Sequence, residues 1–85
     1  MPKITVFGTP WCPFCQRADQ LLKSKGVTRY ETIDVDANPA SRADMIARTG
    51  RRTVPQIYIG NNHVGGYDDL AALDRSGALD GLLAT

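Results

Sequence analysis

The sequence predicts an α/β fold, a mixed four-stranded sheet flanked by helices in the order βαβαββα. Short runs of β-branched and apolar residues alternate with stretches of helical periodicity. Two late runs, Gln56–Ile59 and residues 63–64, are separated by Gly60-Asn61-Asn62, a φ-permissive turn that folds one strand back on the other. Both cysteines, Cys12 and Cys15, stand between the first apolar run and the first helical one.

Residues 3–7 alternate β-branched and apolar side chains and are apolar on both faces, so they read as a central strand, ended by Gly8, Thr9 and Pro10. Residues 13–25 are helical in pattern. Cys15, Ala18, Leu21 and Leu22 fall on one face, with Gln16, Arg17, Asp19, Gln20 and Lys23 opposite. Pro13 suits a first turn, whose N–H groups lack intrahelical partners, and Lys23, Lys25 and Gly26 suit a last one. Residues 28–35 form the second strand, and a helix between two short strands implies a parallel pair. Asn38-Pro39 caps a second helix with Ala43, Ile46 and Ala47 as its apolar face and Gly50 as its stop. After the hairpin, Gly65-Gly66 breaks the fourth strand. A helix then starts at Tyr67 with Asp68 and Asp69 in its first turn and Leu70 and Leu73 facing inward, and residues 78–83 make a short last helix.

At 85 residues, with no linker, repeat or low-complexity segment, the chain is expected to be one domain, residues 1–85. Charged residues make up 22% of it and the net charge is +1, with basic residues scattered among acidic ones. A nucleic-acid binder would show a basic stripe, so that class is excluded. No apolar run approaches the ~20 residues that span a bilayer. Residues 4–7 are too short, and broken by Thr5, to be the apolar part of a secretion signal. The expected location is cytoplasmic, with no membrane partner.

Two cysteines two residues apart have three readings. A structural disulfide would close a loop too short to constrain the unfolded chain much, and would sit oddly in a reducing compartment. A structural zinc site needs about four ligands, and the single His beyond the pair leaves it short. A redox-active pair beside a βαβ pattern fits best. Cys12, at the helix N-terminus, lies near orphan N–H donors and the positive end of the dipole, which favour a thiolate. Cys15, one turn inside, points back toward the sheet and is more thiol-like. Cys12 is therefore the candidate nucleophile and Cys15 the candidate resolving thiol. Pro13 stiffens the intervening pair, and Phe14 shields one side of the sulfurs. Trp11 is either a core residue or part of a docking rim; directly before the nucleophile, the rim is favoured.

Three separated motifs, Cys12-Pro13-Phe14-Cys15, Thr53-Val54-Pro55 and Gly65-Gly66-Tyr67-Asp68-Asp69, make the chain similar to the glutaredoxins, specifically the small bacterial dithiol type, over essentially its whole length. The resemblance implies a thioredoxin-like fold. It implies a glutathione-dependent thiol–disulfide oxidoreductase that reduces protein disulfides and glutathione mixed disulfides. Glutathione would be the reducing co-substrate, disulfide-containing or glutathionylated proteins the partners, and the chain a monomer with no metal. Carried over by residue, the glutathione site would comprise Cys12, Phe14, Thr53, Val54, Pro55, Gly66, Tyr67 and Asp68. A cis Pro55 would face the cysteines, and the Val54 backbone would pair with the cysteinyl part of glutathione as a short strand. Helix-terminal N–H groups near Gly66 and Tyr67 would take the γ-glutamyl carboxylate, and Asp68 its ammonium. Without the resemblance, Val54-Pro55 reads as an ordinary trans turn, and Asp68 and Asp69 as first-turn helix charges, the role kept here for Asp69.

One departure from the family pattern stands at Thr9, three residues before Cys12, where many glutaredoxins carry lysine. Arg52 or Arg17 could replace that cation, or be solvated surface charges. His63 is assigned no role. Two rival functions are an electron donor recharged by thioredoxin reductase and a carrier of a [2Fe–2S] cluster ligated with glutathione. The Gly65-Gly66-Tyr67-Asp68 turn argues against the first, and Pro13, where cluster carriers have a smaller, less rigid residue, against the second.

Overall fold

The computed structural model describes residues 2–84. In chain order the elements are β1 (Ile4–Gly8), α1 (Pro13–Ser24), β2 (Glu31–Asp34), α2 (Pro39–Thr49), β3 (Gln56–Ile59), β4 (Asn62–Gly65), α3 (Tyr67–Ser76) and α4 (Ala78–Ala84). The strands form a mixed four-stranded sheet in the order β2-β1-β3-β4, the thioredoxin-like arrangement that the sequence predicts. β1 runs parallel to β2, with Val6 opposite Thr32, and antiparallel to β3, with Val6 opposite Ile57. β3 and β4 are antiparallel.

The central position of β1 follows from its side chains, since strand residues alternate between faces and both faces here are covered. Ile4 and Val6 join Ala18 and Leu22 of α1, Leu70 of α3 and Leu79 and Leu83 of α4 on one side of the sheet. Phe7 joins Val35, Met45 and Tyr58 on the other, under α2. Burying a side chain such as Phe7 or Leu22 is worth roughly 1.5–3 kcal/mol, so these residues dominate the favourable side of folding. Among the described residues, no helix is long and apolar enough to cross a membrane.

Three local expectations are corrected. β2 is shorter than residues 28–35: the Val27 N–H bonds the Leu22 carbonyl and closes α1, and pairing with β1 starts only at Glu31, opposite Thr5. Gly65 extends β4 instead of breaking it. It pairs with Ile57 across an irregularity that leaves Val64 as the extra residue, and its φ of 116° is one that glycine adopts without a Cβ clash. On α2, Ala43 and Ala47 are exposed. The inward stripe is Arg42, Met45, Ile46 and Thr49, with Met45 fully buried and the Arg48 guanidinium over the Phe7 and Tyr58 rings at 5.3 and 4.7 Å.

Candidate active site

The cysteine pair lies where the β1–α1 connection enters the helix. Cys12 is the N-cap of α1, its backbone extended at φ −85° and ψ 116°, with Pro13 in the first turn. The Cys12 sulfur accepts the Cys15 N–H at 3.2 Å, and its S–H points to the Val54 carbonyl at 3.7 Å. One side chain thus faces both the helix N-terminus and the strap before β3. Cys15 packs against β1, where a Cβ on Gly8 would come within 3.0 Å of its sulfur, so the glycine makes room for it. Both cysteines are free thiols, each half-buried. Burial, then the hydrogen bond and charge of Cys12, push the Cys15 thiol up to about 12 against a smaller opposing effect of the Thr9 backbone.

Beside the pair runs a groove of about 330 Å³. Phe14 and Tyr67 line it, their ring centroids 6.3 Å apart, together with the strap Thr53-Val54-Pro55 and with Gly66 and Asp68 at the start of α3. The Val54–Pro55 peptide is cis. Among the described residues the Val54 N–H has no backbone partner, so the strap is an open edge. Bonding within α3 begins with the Leu70 N–H to the Gly66 carbonyl, which leaves the Tyr67, Asp68 and Asp69 N–H groups without intrahelical acceptors.

Of the residues that the resemblance assigns to glutathione, Phe14, Thr53, Val54, Pro55, Gly66, Tyr67 and Asp68 share this groove, and Cys12 reaches it through the Val54 carbonyl. Cys15 does not line it. It opens instead onto a separate cavity of about 180 Å³, with Asp19 and Tyr30 among its lining residues. Trp11 is 87% exposed and Phe14 48%, so Trp11 belongs to the surface beside Cys12 and not to the core.

Two groove residues escaped the sequence reading. Arg51, not Arg52 or Arg17, lines the groove; the Arg17 guanidinium lies over the Phe14 ring at 5.2 Å, and Arg42 donates to the Arg52 carbonyl. The two arginines are adjacent residues of one type, so nothing in the sequence separates them, and only the folded strap turns Arg51 to the groove. Asp69 is more than a helix charge. Its carboxylate accepts the Gly66 N–H at 2.9 Å and the Arg51 Nη1 at 3.0 Å. Those two donors, Gly66 first, hold its carboxyl below the usual aspartate range. A Cβ on Gly65 would run into this carboxylate. Since Asp69 occupies the Gly66 N–H, the amides of the first turn open to an anion are those of Tyr67, Asp68 and Asp69.

The glutaredoxin family model matches residues 4–64. The chain is 51% identical over 84 residues to a glutaredoxin of Pseudomonas aeruginosa, covering 99% of each protein. It is 49% identical over 83 residues to glutaredoxin 3 of Escherichia coli K12, covering 98% of this chain and 99% of that one. Among solved structures, a buckwheat glutaredoxin–glutathione complex superposes with a TM-score of 0.88 at 35% identity, over 98% of this chain and 77% of that one. A glutaredoxin from Brucella melitensis does so with 0.84 at 49% identity, over 98% and 89%. With a thiol at a helix cap, a second thiol behind it, an open-edged groove alongside and relatives matched over nearly their whole length, this chain belongs to the glutaredoxin family of dithiol oxidoreductases.

Proposed function

We propose that the chain carries electrons from glutathione to protein disulfides and glutathione mixed disulfides, with Cys12 as the attacking sulfur and Cys15 as the resolving thiol. Glutathione-dependent thiol–disulfide exchange is the activity of its family. The observation that carries the division of labour is the asymmetry between the thiols. Burial and the neighbouring Cys12 push the Cys15 thiol up to about 12, and it packs away from the groove. Cys12 stands at the cap and against the groove, where a substrate sulfur arrives.

In the one-thiol reaction, the Cys12 thiolate attacks the glutathione sulfur of a mixed disulfide. The Cys12–glutathione bond forms, and the protein sulfur leaves as a thiolate and takes a proton. A second glutathione thiolate attacks the bound glutathione sulfur, releasing oxidised glutathione and restoring the Cys12 thiolate. In the two-thiol reaction the Cys12 thiolate attacks a protein disulfide, forming a Cys12–protein disulfide and releasing the first protein sulfur as a thiolate; Cys15 then loses its proton and attacks the Cys12 sulfur. The second protein thiol is released, and the Cys12–Cys15 disulfide is then reduced by two glutathiones. In each case the attacking thiolate is regenerated by glutathione oxidation.

The groove fits the tripeptide. The unpaired Val54 backbone suits strand-like pairing with its cysteinyl residue. The Tyr67 and Asp68 amides suit the γ-glutamyl carboxylate, and the Asp68 side chain suits the ammonium. Arg51 supplies a cation for the remaining carboxylate, in place of the lysine absent at Thr9. We place this activity in the cytoplasm, where glutathione keeps thiols reduced, and assign it to the monomer, since one chain supplies both cysteines and the groove.

A coupled assay with glutathione, glutathione reductase and two substrates tests the reading. The wild type reduces both a glutathionylated peptide and a protein disulfide; Cys15→Ser retains the first and loses the second. Loss of both in Cys15→Ser would overturn the assignment of roles.

A further inference from the structure

We infer that Gln56 and His63 are positioning residues for the glutathione-pairing strap: a buried amide bridges the outer strand β4 to Thr53 and fixes the backbone on which Val54 is presented. The inference rests on the reading of the groove given above. Gln56 is the polar side chain buried among the described residues, at 0% exposure on a strand otherwise apolar. A buried amide without partners is strongly unfavourable, so where its hydrogen bonds go is informative. Its Nε2 donates to the Thr53 carbonyl at 2.9 Å and reaches the Thr53 hydroxyl at 3.3 Å. With the NH₂ turned that way, Oε1 is the acceptor for His63 Nε2 at 2.8 Å, which puts the imidazole hydrogen on Nε2. His63 in turn lies against the Tyr58 ring, centroids 5.1 Å apart.

The network is therefore closed: His63 donates to Gln56, and Gln56 donates to the residue before Val54. Its effect is one of position. The strap belongs to no strand, and its Val54 N–H is left for a ligand, so the Thr53 end must be held by side chains. Gln56 supplies that hold, and His63 fixes the amide's orientation. Neither touches the sulfurs. Burial, then the Arg51 charge, keeps His63 below the usual histidine value, with Asp69 opposing; its Nε2–H is available to Gln56 in either protonation state.

The test is steady-state turnover of a glutathionylated peptide by the full chain carrying Gln56→Met, His63→Phe or His63→Gln. KM for the peptide rises roughly 3- to 10-fold in Gln56→Met and His63→Phe, the size of one buried hydrogen bond, with kcat moved less. His63→Gln keeps an N–H donor for Gln56 and returns KM to within about twofold of the wild type. Unchanged KM beside a lowered thermal midpoint overturns the inference, because Gln56 would then only support packing. So does a His63→Gln chain as impaired as His63→Phe. Both His63 variants alter an exposed residue, so they decide the matter if Gln56→Met does not fold. A separate control protects the reading beneath: a wild type with no lower KM for the glutathionylated peptide than for the same peptide linked to cysteine overturns the glutathione groove itself.

Discussion

Replacing Cys12 by serine isolates the Cys15 thiol and lets its protonation be read from its chemistry. Burial is the largest of the influences that push Cys15 from 9.0 up to about 12, and it remains when the neighbouring sulfur is removed. At pH 7 a thiol at about 12 is ionised to roughly one part in 10⁵, against one in 10² at 9.0, about a thousandfold less thiolate. Thiolate nucleophilicity rises with pKa at a Brønsted slope near 0.45, which returns about 20-fold over three units. The net expectation is an alkylation rate about 50-fold below that of an ordinary thiol, before access is counted. Removing the Cys12 charge and hydrogen bond lowers this somewhat. Iodoacetamide labelling of Cys12→Ser, with free glutathione as the internal standard, should therefore show Cys15 at least about tenfold slower at pH 7, its rate still climbing above pH 10. Parity with glutathione, or a rate that levels off below pH 9, would refute the argument that burial keeps the Cys15 thiol protonated and slow to attack.

Other outcomes follow from the same structure. Met45→Ala removes a fully buried side chain from beneath α2 and should lower stability by about 2–5 kcal/mol in chemical denaturation, while Ala47→Ser on the exposed face changes it little. Asp69→Asn should destabilise by roughly 0.5–1 kcal/mol at neutral pH through the loss of the helix-start carboxylate. Because folding depresses the Asp69 carboxyl, its contribution is complete above the ordinary 3.8 and disappears as pH falls through the lower folded value; wild-type and variant melting curves should converge there. Thr9→Lys should change glutathione-dependent turnover less than Arg51→Gln does, because Arg51 already lines the groove; the reverse order would restore the family's usual cation position as the important one.

Much of this architecture was legible because local chemistry and tertiary role agree. The β1 residues are apolar on both sides because both faces are covered, and the Gly60-Asn61-Asn62 turn pairs β3 with β4. The cysteine spacing at a helix start placed the chemistry, and the glutaredoxin resemblance placed the opposing strap, whose cis bond X–Pro statistics alone would not have favoured. The failures are places where a distant partner decides. Alanines suit a surface as well as a core, so Ala43, Ile46 and Ala47 read as the inward face of α2, of which Ile46 packs inward while Ala43 and Ala47 are exposed and Met45 reaches Phe7 and Tyr58. Gly65 reads as a breaker locally, and only the Ile57 backbone and the Asp69 carboxylate explain why it sits in a strand. Arg51 and Arg52 are indistinguishable by composition, and His63 acquires a role only when Gln56 is seen to turn its amide toward Thr53.

The central claim is that Cys12 carries the glutathione. Peptide mapping by mass spectrometry of the Cys15→Ser chain after incubation with oxidised glutathione tests it most directly, since the Cys15 thiol is no longer there to displace the adduct. The account predicts one glutathione per chain, bound to Cys12 and removed by fresh glutathione. A chain that acquires none under these conditions, while still turning over a glutathionylated peptide, would contradict it.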